Sequence, residues 1–82
     1  MTVINLSSSN PTATYKNRTI TLVYHSLRAA HIKVEGDPIT YTFAIGSKAI
    51  PHSRIIHGVR FILVGITRLP EGGHRATFHV DG

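Results

Sequence analysis

Apolar and polar residues alternate with a period of two in four stretches of this chain, a pattern that restricts them to half-buried strands. Thr19 to His25 place Ile20, Leu22 and Tyr24 on one face and Thr19, Thr21, Val23 and His25 on the other. Ala30, Ile32 and Val34 alternate with His31, Lys33 and Glu35. Ile39, Tyr41, Phe43 and Ile45 point inward by the same rule, with Thr40, Thr42 and Ala44 outward. Val59 to Arg68 is apolar on both faces at its centre, which predicts a strand covered on both sides, and Gly65 predicts a bulge within it. His74 to Val80 directs Ala76, Phe78 and Val80 inward. Composition agrees: ten Ile, six Val and nine Thr stand against five Leu and one Met, and β-branched side chains favour a pleated surface over a helical one.

Turn chemistry joins these strands in order. Ser26-Leu27-Arg28 is short enough for a hairpin, Gly36-Asp37-Pro38 is the strongest turn signal, and Leu69-Pro70-Glu71-Gly72-Gly73 reverses the chain again. Residues 1–18 read as an N-terminal arm, with a short first strand at Thr2–Leu6 as the alternative, and residues 19–82 read as a single β domain. The fold class expected is all-β, a small antiparallel barrel or meander of five to six strands, SH3-like or OB-like. An α+β fold with one short helix in 46–58 is the alternative, because Ser53 can cap a turn through Arg54, Ile55 and Ile56. Ile20, Leu22, Ile32, Val34, Tyr41, Phe43, Phe61, Leu63 and Phe78 form the expected core.

Eighty-two residues suffice for one small core, and the absence of cysteine excludes disulfides, thiolate metal sites and a cysteine nucleophile. The longest apolar run, Phe61 to Val64, is too short to span a bilayer, and the N-terminus carries no signal-peptide pattern, so no membrane role is expected. The cytoplasm, of a cell or of an infected host cell, is the expected compartment. Four acids (Glu35, Asp37, Glu71 and Asp81) fall at turns or strand ends, which suits capping of backbone N–H groups better than paired acid–base catalysis. Six histidines lack metal-ligand spacing: His74 and His79 have opposite parity on one strand, and no pair stands two apart. His25-Ser26 and His52-Ser53 lack the orienting acid and oxyanion hole of a triad. Gly46-Ser47-Lys48 lacks the first glycine and the following helix of a phosphate loop. No catalytic residue, metal or cofactor is therefore expected.

Charge is the more informative feature. Nine Lys and Arg against four Asp and Glu leave +5, and no acid occurs between Pro38 and Pro70. Lys48, His52, Ser53, Arg54, His57, Arg60 and Arg68 lie inside that stretch and form the candidate binding residues for an anionic partner. Arg outnumbers Lys six to three, and a guanidinium fork suits bidentate phosphate or carboxylate recognition. By simple parity Arg60 and Arg68 share a face, unless the bulge at Gly65 breaks the register.

Ile50-Pro51-His52-Ser53-Arg54-Ile55 resembles the Ile-Pro-x-His-Arg-Ile element of a small archaeal-type domain implicated in recognising RNA ends. The histidine is displaced by one position and the similarity covers six residues, so no role follows for them. The expected function is a non-enzymatic basic module contacting nucleic acid or another phosphate-rich or acidic partner. Alternatively, the chain resembles in size and style the small cysteine-free inhibitors that phages direct at host defence or transcription complexes, implying docking on a host protein or nucleoprotein. A homo-oligomer assembled through strand edges, structural or ligand-sequestering, is the third reading.

Overall fold

The computed structural model describes residues 1–82 as an all-β protein of eight strands. They are β1 (Thr2–Ser7), β2 (Thr12–Tyr15), β3 (Arg18–His25), β4 (Ala29–Val34), β5 (Tyr41–Ala44), β6 (Ser53–Ile56), β7 (Val59–Arg68) and β8 (His74–Asp81). One antiparallel sheet has the order β1-β8-β7-β6 and the other β2-β3-β4-β5. The chain order around the molecule is that of an up-and-down barrel opened along two seams, β1/β2 and β5/β6. The all-β expectation holds, with eight strands in place of five or six.

One core joins the sheets. Ile4, Leu6, Ile56, Phe61, Leu63, Phe78 and Val80 meet Ile20, Leu22, Ile32, Val34 and Phe43, and Phe43 packs edge-on to Phe78 with ring centroids 5.1 Å apart. Every residue of the expected core is buried except Tyr41, which packs half-buried against it. The N-terminal segment belongs to this core: β1 pairs along its length with β8 and buries Ile4 and Leu6, and β2 forms a hairpin with β3.

Several expectations are corrected. Ser53–Ile56 is an edge strand paired with β7, so no helix occupies 46–58; Ile55 and Ile56 are β-branched, and Ser53 is read out by strand pairing instead of by capping. A register shift between Leu22 and Tyr24 turns Tyr24 outward, 56% exposed and edge-on to His31, and brings His25 onto the inner side opposite buried Ala30. The strand at Ile39–Ile45 is shorter, Tyr41–Ala44, leaving Ile39 exposed; Ala44, expected outside, is buried against the β5/β6 seam, where its N–H donates to the Pro51 carbonyl at 3.1 Å. Nothing covers the second face of β7, so Val64 is 46% exposed.

Two hairpins end in two-residue turns. Lys16 and Asn17 join β2 to β3 with φ of 50° and 66°, and His57 and Gly58 join β6 to β7 with φ of 52° and 77°. Positive φ at both central residues makes each a type I′ turn, whose twist matches that of the flanking strands.

Candidate functional site

The β7–β8 register decides which candidate residues meet. Between Leu63 and Gly65 the pairing slips by one, so Val64 has no partner on β8. Before the slip Arg60 opposes Asp81 and Ile62 opposes His79, on the outer face; after it Ile66 opposes buried Ala76 and Arg68 opposes His74, on the inner side. Arg60 and Arg68 therefore lie on opposite faces, eight residues apart and so roughly 26 Å along the strand. The bulge breaks their shared parity.

The other candidates separate in the same way. Lys48 and His52 are exposed on the β5–β6 connection, which is tightened by Ser47 Oγ accepting the N–H groups of Ala49 and Ile50 at 3.2 and 3.0 Å. Ser53 lies half-buried on the outer face opposite Ile62. Arg54 has the opposite parity and reaches across the seam: its Nε donates to the Thr42 carbonyl at 2.8 Å, and its guanidinium carbon lies 5.9 Å from the centre of the Phe43 ring. Its role here is to tie β6 to β5. His57 leaves its turn to place Nε2 2.8 and 2.9 Å from the two oxygens of Asp37, which also accepts the Tyr41 hydroxyl at 2.6 Å.

That last cluster is electrostatically coupled. The Tyr41 hydroxyl, and then the His57 imidazole and the Arg18 charge, hold the Asp37 carboxyl below its ordinary value despite partial desolvation. The same hydrogen bond, with desolvation and the charge of Asp37, pushes the Tyr41 phenol up. His57–Asp37 is the only ion pair in the protein, so none of the nine Lys and Arg side chains has a carboxylate partner.

Two further residues join Arg60 on the outer face of β1-β8-β7-β6. Arg75 opposes Ser7 and Thr67, and His79 opposes Val3 and Ile62. Val64, 46% exposed, and half-buried Ile62 stand on β7 between the Arg60 and Arg75 rows, while Val3 and Ile55, 54% and 69% exposed, flank them on the edge strands β1 and β6. The outward parity of Arg75 and His79 follows from the inward placement of Ala76, Phe78 and Val80. That they share a face with Arg60, His79 next on that face of β8 from its partner Asp81 and Arg75 roughly 20 Å further down the strand, depends on strand pairing.

At the opposite end of β3, Nδ1 of His25 lies 3.2 Å from Nδ1 of His74 across the two sheets. No third His, Cys, Asp or Glu joins them to complete a metal-ligand group. No helix is long and apolar enough to cross a membrane. Compared with known proteins, the chain matches no family model, and no curated protein or solved structure matches it significantly.

Proposed function

We propose that the protein is a non-enzymatic binding module that docks the outer face of its β1-β8-β7-β6 sheet on an acidic protein surface. The observation carrying this reading is the charge arrangement: Arg60, Arg75 and His79 stand on that face with one acid, Asp81, and no ion pair neutralises either arginine. Side chains without internal partners are available to an anionic surface, where complementary charge speeds encounter and sets orientation. The aliphatic groups among them distinguish the partner class. Val3, Ile55, Ile62 and Val64 gain nothing from a phosphate backbone, whereas a protein surface can bury them, Ile62 and Val64 between the two arginines and Val3 and Ile55 along the sheet edges. No Phe, Tyr or Trp stands on this face for base stacking.

The test is an amide-resolved NMR titration with an amphipathic acidic helical peptide, Glu on one side and Leu on the other, beside an oligo-Glu peptide and a mixed-sequence oligonucleotide. The amphipathic peptide is expected to bind most tightly and to shift amides around Val3, Ile55, Arg60, Ile62, Arg75 and His79. Tighter binding by the oligonucleotide at the same salt would replace the acidic protein with nucleic acid as the partner. Shifts confined to other surfaces would reject this face.

A further inference from the structure

At the end of the molecule carrying both type I′ turns, the sheets part around a cavity of about 240 Å³. Its inner wall is apolar, with Ile20 and Val34 from one sheet and Ile56 and Phe61 from the other, all four buried. Half-buried Tyr15 and Val59 and exposed Lys16, Arg18 and His57 complete the lining, and no carboxylate is among the residues that form it. None of these residues belongs to the docking face.

The hydrogen bonds near the mouth leave cationic donors free while engaging both oxygens of Asp37 and one of Glu35. Arg18 Nη1 donates to the Glu35 carbonyl at 2.9 Å, which fixes the guanidinium in place while its other N–H groups have no protein acceptor. Lys16 Nζ makes no hydrogen bond and lies 5.8 Å from the centre of the Tyr15 ring. The two neighbouring acids are engaged: Asp37 receives Tyr41 and His57, and Glu35 Oε1 accepts the Thr19 N–H at 2.9 Å. A head group that only accepts hydrogen bonds fits this mouth; one that must donate meets cations.

We propose that this cavity binds a small amphipathic monocarboxylate, with an aryl or short alkyl body between the sheets and its carboxylate at Lys16 and Arg18. A dry cavity of about 150 Å³ holds a benzene ring, so the larger volume here accommodates a body of about six to ten carbons. An apolar wall with a few convergent polar groups is the usual form of a small-molecule site, and barrel mouths are a common place for one. The ion–ion contact sets the carboxylate apart from a neutral analogue of the same shape.

The test is a pair of NMR titrations of the intact protein with phenylbutyrate and phenylbutanol, which share a body and differ in the head group. Phenylbutyrate is expected to shift amides near Lys16, Arg18, Ile20, Val34, His57 and Phe61 saturably, and phenylbutanol to bind about tenfold or more weakly. Lys16→Gln with Arg18→Gln is expected to bring the two affinities together. Equal affinity of acid and alcohol for the unaltered protein would overturn the assignment of the head group. Absence of saturable shifts at these amides would overturn the site. Both readouts use the unaltered protein, so they hold whether or not the double variant folds.

Discussion

Nε of Arg54 and the carbonyl oxygen of Thr42 meet at 2.8 Å across the seam between β6 and β5. The two strands share no ladder, so this bond and the one from Ala44 N to Pro51 O do the work that strand pairing does elsewhere. Arg54→Ala is therefore expected to destabilise the fold by about 1–2 kcal/mol, the range for a hydrogen bond from a charged donor that is partly exposed. Arg60→Ala, on the open face, should stay within about 0.5 kcal/mol of the parent. Urea unfolding of the two variants checks the contrast; equal effects would contradict the structural role of Arg54.

Gly58 tests the turn geometry separately from packing. An added Cβ there meets nothing within 4 Å, yet φ is 77°, a conformation disfavoured for L side chains. Gly58→Ala is expected to lower stability by about 1 kcal/mol through backbone strain alone. Asn17→Gly, at φ 66° in the other type I′ turn, should leave stability unchanged or raise it slightly. Thermal unfolding of both variants reads the difference.

The core prediction is larger. Phe61 is 3% exposed and opposes Val80, so Phe61→Ala should cost about 3–5 kcal/mol, a large part of the stability of so small a domain. Loss of dispersed amide resonances or a much lower unfolding midpoint is the expected result.

The Tyr41–Asp37–His57 cluster gives stability a defined pH dependence. Its folded state holds the Asp37 carboxyl below the ordinary 3.8, so the unfolded chain takes up that proton first. The resulting stabilisation is complete above pH 3.8 and is lost as pH falls through the lower folded value. Tyr41 behaves in the opposite sense: its phenol is raised above 10.0, so its contribution is complete below pH 10.0 and is lost as pH rises through the raised value. Asp37→Asn should flatten the acid limb of stability against pH, and Tyr41→Phe the alkaline limb. Unchanged limbs in both variants would show that the cluster contributes no linkage.

His25 and His74 bring two nitrogens together without a third ligand, so the fold is expected to need no metal. Dialysis against a strong chelator should leave the melting temperature unchanged. A large fall restored by zinc would make this pair part of a metal site.

Legibility followed burial. Ile20, Ile32, Phe61 and Phe78 were placed correctly by alternation because strands with one buried face keep a period of two. Tyr24 was misplaced because nothing in Leu22-Val23-Tyr24 marks the bulge that reverses its side. Gly65 did mark the other irregularity, but how far the register shifts, and hence the separation of Arg60 from Arg68, is set by pairing with β8. β2 and β6 are four-residue edge strands, too short for alternation to register, and β6 looked helical because Ser53 is also a good cap. The cavity was hidden for a similar reason: Lys16 lies in the turn of one hairpin with Arg18 at the start of the strand that follows, and His57 lies in the turn of another, joined only by the packing of the two sheets.

The docking reading is tested most directly by the affinity of the amphipathic acidic peptide for the parent and for Arg60→Gln with Arg75→Gln, measured by fluorescence anisotropy at two salt concentrations. Both substitutions lie on the exposed face and should leave the fold intact. The account predicts binding about tenfold weaker in the double variant, together with a shallower salt dependence. Undiminished affinity with the same salt dependence would contradict it and leave those arginines as a solvated surface.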